Sequence, residues 1–488
     1  MMHTLKTWVS NLVLACLISI CFYGCASYHQ RAFKVQQAFA NGQLDRAASE
    51  VNASRILKKK RNKLLYYMEA GAIANVRGRY DESNAYLEKA YAALEDDQAN
   101  IGNEALKYVM NPMMTDYRGE NHEVIYIHYY KALNYLHLGN LDAALVEARR
   151  MENKLKRLNV KYKSKNKFQD DALIHLTMGL IYDANADYNN AFIAYRNAGN
   201  LYDGFYSAQL GISMPNQLKE DIIRTAYLSG FDTEGQRYEQ KFNIKYKPNP
   251  KGSGTALIIW QNGLCPIKTE AGFTFTSQPG VGGNITFNSN GIVDGFSYPL
   301  PQDQNERANL TNLKSFRIAF PKYTSRLPLF NSASISVNDG TTYNLDLVEN
   351  VEKVARVCLQ DRFLNEMSTA LIRIAIKKGA EAALRQAAKE AKKDNEKAGL
   401  EAAAVGLMLF NTFSEKADTR NWQTLPNAIF YTRVVKPEGK YAFTFNFNGA
   451  EKDSRTYEIP IKSNNTFFFT QHTLGANDVY PMDLMQAD

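Results

Sequence analysis

VIYIHYYKALNYLHLGNLDAALVEARRM, residues 124–151, is the stretch whose reading decides the fold. Apolar and small residues recur at steps of three and four through Ile127, Tyr130, Leu133 and Tyr135. They stop at Leu138-Gly139-Asn140 and resume at Leu141, Ala144 and Ala148. That spacing predicts two amphipathic helices joined by a tight turn. Ala132 and Ala144 leave room for close helix approach, and Leu141, just past the turn, fills the wedge between them.

The pattern recurs on both sides. Residues 64–91, LLYYMEAGAIANVRGRYDESNAYLEKAY, bring Gly71, Gly78, Tyr80, Leu87 and Ala90 into register. Residues 168–198 do the same with Gly179, Tyr182, Tyr188, Ala191, Tyr195 and Ala198. A partial copy surrounds Gly42 and a divergent one Gly230. These copies resemble tetratricopeptide repeats, with a small residue at the close approach, an aromatic after the turn and alanines in the second helix. Turns are 36 residues apart from Gly42 to Gly78, 61 to Gly139 and 47 to Ala186. Against a period of about 34, the excess predicts insertions around 96–123 and 153–167. Residues 28–245 therefore read as an α-solenoid whose first helices line a concave face. In that register Met68, Asn75, Tyr126, Tyr129, His137, Leu176 and Asp183 face a groove that suits an extended peptide or helix of a partner protein. The alternative is that the same tyrosines pack into neighbouring repeats, or that inserted loops fill the groove.

Residues 246–254, YKPNPKGSG, read as a linker. Beyond it, strand signals replace helical ones: the short apolar run 256–260, a hairpin turn at Asp339-Gly340, and strict alternation at Tyr441, Phe443, Phe445 and Phe447. Period two with one apolar face predicts an antiparallel β-sandwich-like module over 255–488. Residues 349–417 interrupt it with Ala- and Lys-rich helical sequence, read as an inserted helical hairpin. The fold class is thus α + β and multidomain, a chain of 488 residues being too long for one ordinary core.

The first 24 residues carry one lysine and then an apolar run ending in Phe22-Tyr23-Gly24-Cys25. So short a run suits a signal peptide better than a membrane span. A small residue directly before Cys25 resembles the bacterial lipoprotein box, which implies that Cys25 is acylated, with palmitate among the chains, and is the first mature residue. By the same resemblance, Ala26 in place of Asp favours the Gram-negative outer membrane over retention at the inner one; a periplasmic orientation is the expectation, with the opposite side of that membrane left open by the residues themselves. Of the remaining cysteines, Cys265 and Cys358 could form one disulfide or stay as two buried thiols.

Together with the lipoprotein box and the repeat, ADTRNWQTLP at 417–426 resembles a family of tetratricopeptide-containing bacterial outer-membrane lipoproteins. The resemblance implies no activity and no catalytic residue. Physically, in this segment, which runs to Pro426, Asp418 and Arg420 could fix the turn from helix to strand with Trp422 as a core plug; the alternative is that the segment forms a binding surface.

The formal net charge of +8 is local. Arg55, Lys58, Lys59, Lys60, Arg61 and Lys63 form one run, and Lys154, Lys156, Arg157, Lys161, Lys163, Lys165 and Lys167 another, so the rest of the chain is net acidic. Such runs can meet anionic headgroups or an acidic partner, or be solvated linkers. Apart from Tyr162 they lack the interleaved aromatics of a nucleic-acid site, and no nucleic-acid partner is expected. His122 and His128 lie six apart, and the i+4 position that a zinc helix needs holds Tyr126. No nucleophile elbow, phosphate loop or dinucleotide fingerprint occurs, so neither metal nor cofactor is expected.

The expected function is a non-enzymatic, lipid-anchored adaptor whose groove binds another cell-envelope protein, in cell-wall synthesis, outer-membrane assembly or secretion. The rival readings are an envelope enzyme with a cleft between the two domains, and a self-assembling component joined through 349–417.

Overall fold

The computed structural model describes residues 28–99, 112–161, 168, 170–279, 284–289, 296–299, 315–391, 393–414 and 416–475. Residues 1–24, where a leader is expected, and Cys25 lie outside them, as do parts of both expected insertions. Antiparallel helix pairs fill the first half: α1 (Tyr28–Ala40) with α2 (Leu44–Ala53), α3 (Lys63–Val76) with α4 (Tyr80–Ala99), α5 (Asn121–His137) with α6 (Leu141–Lys161), α7 (Ala172–Ala184) with α8 (Tyr188–Leu201), and α9 (Asn216–Leu228) with α10 (Asp232–Phe242).

Each pair turns through a left-handed residue. Glycine supplies it at 42, 78, 139 and 230, and Ala186 takes the same conformation in the fourth pair. At Gly139 the turn closes with its own N–H on the Leu136 carbonyl and that of Asn140 on the Tyr135 carbonyl. The Asn140 side chain then accepts from the Ala143 N–H, starting α6.

Gly179 and Gly71 are small for a different reason. A Cβ on Gly179 would lie 2.4 Å from the Tyr195 ring, and one on Gly71 2.6 Å from Leu87. Gly179→Ala is therefore expected to cost about 1–3 kcal/mol through overpacking of the α7–α8 contact. An unchanged urea midpoint would show that the ring has room to move.

The β-module forms three sheets. The first has order β12-β1-β9-β8, from β1 (Ser253–Asn262), β8 (Asp346–Asn350), β9 (Ala428–Pro437) and β12 (Thr466–Thr473). The second has order β11-β10-β6-β7, from β6 (Phe330–Val337), β7 (Thr342–Asn344), β10 (Gly439–Gly449) and β11 (Lys452–Ile461). The third, β4-β3-β2-β5, uses β2 (Ile267–Pro279), β3 (Asn284–Ser289), β4 (Phe296–Pro299) and β5 (Ser315–Thr324). Between β8 and β9 run α11 (Val351–Glu390) and α12 (Asp394–Ser414), the inserted hairpin. At 40 residues, α11 is roughly 60 Å long. Among the described residues no helix is long and apolar enough to cross a membrane.

The first two sheets make the expected sandwich. Ala256, Ile258 and Trp260 of β1 and Ala428, Phe430 and Val434 of β9 meet Ile335, Val337, Phe443, Phe445 and Phe447 of the second sheet. One pairing departs from the antiparallel expectation, since β12 crosses over from the second sheet and lies parallel to β1.

The opposite face of the first sheet is apolar too. Leu257, Ile259, Ile429 and Tyr431 join the same core cluster as the helices. A strand buried on both faces needs no polar side, which is why 256–260 reads as an unbroken apolar run. Helices, first sheet and second sheet are thus three stacked layers.

Candidate functional site: the concave face and what occupies it

Met68, Asn75, Tyr126, Tyr129, Leu176 and Asp183 all lie on first helices of their pairs, and all are buried. His137 is half-buried, stacked on Tyr80 at 4.6 Å between ring centroids, with Nε2 2.9 Å from Thr470 Oγ1 of β12. The expectation of an open groove is therefore corrected. The concave wall exists, but the protein's own β-module covers it. The physical reason is the second apolar face of the first sheet, which has to be removed from water and meets the helices there. Helix α5 shows the consequence: buried residues run all round it, as for a helix enclosed on every side. Asn75 bonds within the array, Nδ2 donating to Asn134 Oδ1 at 2.7 Å.

The 417–426 segment is the clasp of this interface. Arg420 is 1% exposed and makes a fork-to-fork pair with Asp418, Nε to Oδ1 at 2.8 Å and Nη2 to Oδ2 at 2.7 Å. Its remaining N–H groups reach into the helical half, donating to Asn62 Oδ1 and to the carbonyls of Arg61, Pro112 and Thr115. The guanidinium also lies over the Tyr117 ring. A lysine could not reproduce that planar set of donors. Trp422 is fully buried beside Tyr130, its backbone N–H on Glu123 Oε1 at 2.7 Å, and the N–H of Gln423 reaches Glu69 Oε1 at 2.9 Å. Pro426 is buried at the end of the segment. Asp418 and Arg420 thus do more than shape a turn: they tie β-module to helices.

Buried charge concentrates along the same interface. Glu120 of the α5 cap meets Lys268 of β2 and Arg362 of α11. Burial works against its ionisation, yet the two cations outweigh burial and hold it well below the usual carboxylate range. Next to it, Glu123 is pushed up by burial and by the charge of Glu120. Burial raises Glu69 to about 7. Farther along, Asp183 and Asp221 face Arg224 of α9 and Arg433 of β9. Burial opposes the charge of Asp183, but Arg433 and Arg224 keep it low.

A third group has no cation paired with it among the described residues. Asp171, the N-cap of α7, and Glu349, at the end of β8, both sit against the Tyr206 hydroxyl, at 3.0 and 2.6 Å. One hydroxyl has one proton to donate, so satisfying both contacts requires a protonated carboxyl. Burial first, and mutual repulsion second, raise Glu349, and burial raises Asp171.

Carboxyls poised near neutrality are what the enzyme reading asks for. A hollow of about 310 Å³ lies between the 211–216 loop, Lys219 and Asp346-Leu347, and a void of about 10 Å³ lies beside Cys358, but none of these raised carboxyls lines either space. Among the described residues no three His, Cys, Asp or Glu side chains are placed to hold a metal.

Cys265 and Cys358 are both free and buried, which corrects the possible disulfide. The Cys265 thiol donates to the Trp422 carbonyl at 3.0 Å, and burial pushes it up to about 12. Cys358 sits on α11, also raised by burial. Thiols so enclosed are inert.

Sequence reasoning passed over Lys268, Arg433, Glu349 and Asp221. A usable signal was present for one of them: Arg433 interrupts the apolar strand AIFYTRVV, and a charge there must have a buried partner.

No protein-family model matches the chain, and no curated protein matches it. Among solved structures, the chain is similar to the MamA protein at 15% identity and a TM-score of 0.28, over 45% of this chain and 96% of that one. It is similar to BtubC (BKLC) from P. vanneervenii at 14% identity and 0.31, over 46% and 83%. A tetratricopeptide repeat protein from Parabacteroides merdae stands at 13% and 0.21, over 46% and 81%. Scores this low leave the fold to be read from the helix pairs themselves.

Proposed function

We infer that this chain is a non-enzymatic scaffold of the bacterial cell envelope, acylated on Cys25, anchored to the outer membrane and facing the periplasm. It binds another envelope protein on its outer surfaces. The observation that carries the scaffold reading is the occupied concave face, where charged groups hold helices and sheet together instead of facing a cleft. The lipoprotein-box resemblance at residues 22–25 supports the anchor. Tetratricopeptide-like helix pairs stack into surfaces suited to protein partners. In this molecule the convex side is the one left free: Val146 on α6 is 48% exposed and Ile193 on α8 38%.

The test is site-specific photocrosslinking in cells from Val146 and Ile193, set against Asn75 and Tyr129. Discrete adducts are expected from the first two and none from the second two, provided each variant keeps the parent melting temperature. Adducts from Asn75 or Tyr129 would reopen the groove. Labelling with radioactive palmitate, lost in Cys25→Ala, tests the anchor.

A further inference from the structure

Of the two basic runs, the second has three described cations, each beside a carboxylate of the fold. Lys154 and Arg157 face Glu95 at 3.6 Å, and Lys156 pairs with Glu152 at 2.7 Å. The first run is different. Arg55, Lys58, Lys59, Lys60 and Lys63 are exposed and Arg61 half-exposed, and among the described residues none of the six has a carboxylate within ion-pair distance.

These cations sit on a fixed loop. Ile56 and Leu57 are buried beneath it, Asn62 Nδ2 donates to the Ile56 carbonyl at 2.8 Å, and Arg420 holds the Arg61 carbonyl and Asn62 from the far side. Lys58 and Lys63 lie over the half-buried rings of Tyr66 and Tyr67, at 5.9 and 5.7 Å. The loop also has a defined address. Because α1 and α2 are antiparallel, the loop leaving α2 returns to the end of the array where α1 begins, and Cys25 precedes Tyr28 by only three residues. Three residues span roughly 10 Å at most.

We propose that residues 55–63 form a docking surface for an anionic phospholipid bilayer, which sets the array's orientation on the membrane. Lysines over tyrosine rings beside a bilayer match the two residue types that partition to the headgroup layer. An acyl anchor fixes only the chain end at the bilayer, and a basic patch beside it adds an electrostatic contact that orients the rest. The location of the bilayer rests on the anchor reading above, whereas the lipid chemistry of the patch does not.

The chain from residue 26 onward, which carries no acyl group and keeps every described element, is co-sedimented with vesicles of phosphatidylcholine with and without phosphatidylglycerol. Anionic vesicles are expected to bind at least roughly tenfold more tightly, with the difference shrinking as salt rises. The variant Lys58→Gln/Lys59→Gln/Lys60→Gln/Lys63→Gln is expected to lose that gain. Lys156→Gln/Arg157→Gln, at two cations that face carboxylates of the fold, is expected to keep it. Equal binding to both vesicle types, or full binding by the fourfold variant, overturns the proposal, as does tighter binding of an RNA oligonucleotide than of anionic vesicles. Acylation plays no part in this assay, so loss of palmitate labelling and loss of vesicle binding are separate failures.

Discussion

Arg433→Met is expected to destabilise the protein by about 3–5 kcal/mol, because it leaves a buried carboxylate without its cation. Arg433 donates from Nε to Asp221 Oδ1 at 2.7 Å and from Nη2 to Asp183 Oδ2 at 2.5 Å, and it also reaches the Tyr195 hydroxyl at 3.2 Å. With Arg224 beside it, two guanidiniums balance two carboxylates. Removing one strands a negative charge between β9 and the helices.

Urea unfolding followed by tryptophan fluorescence and by far-ultraviolet circular dichroism measures the loss. Trp422 lies in the interface and Trp260 in the sandwich, whereas the dichroism follows the helices, so coincident transitions would show that the layers unfold together. The double variant Arg433→Met/Asp183→Asn restores charge balance, and recovery of a substantial part of the loss is expected. A shift under about 1 kcal/mol in the single variant would mean that the carboxylates reach water.

Glu349→Gln should act in the opposite direction, and only above mildly acidic pH. Burial raises Asp171 and Glu349 in the folded protein above their unfolded values of about 4. The folded state thus keeps protons that the unfolded chain has already released. Their favourable contribution is complete below the unfolded pKa and is lost as pH rises through the folded one. Glutamine mimics the protonated acid and removes the repulsion on Asp171. The variant is expected to match the parent near pH 4 and to exceed it by roughly 1–3 kcal/mol near pH 8.

The difference between the two proteins is the quantity to measure. Burial pushes His122 and His137 down to about 4 and His472 to about 3. Those groups contribute stability above the unfolded value that is lost as pH falls, so they oppose the carboxyls across the same window in the parent curve. A variant-minus-parent difference that is flat from pH 4 to 8 would show that Asp171 and Glu349 ionise normally.

Much of the helical half was legible along the chain. Gly139 with Asn140, and Gly78, announce their turns by residue type alone, because a left-handed position favours glycine. Gly179 and Tyr195 announce their contact because a large ring opposite a glycine marks a close approach. Alternation at Tyr441, Phe443, Phe445 and Phe447 likewise marks a half-buried strand.

The occupied groove was not legible, and the reason is general. Apolar first helices look the same whether they await a foreign peptide or already pack against the chain's own sheet. Tyr126 and Tyr129 fit both readings. The hint lay far away, in a run at 256–260 without a polar face, and it meant nothing until that run had a neighbour. Local periodicity determined which residues form helices, where the pairs turn and which strands carry one dry face. Pairing across more than 160 residues, β1 with β9 and β12, decided that the first sheet has two dry faces. Burying the second of them against the helices is what closed the concave wall and left the convex side, with the unneutralised loop at 55–63, as the surface facing outward.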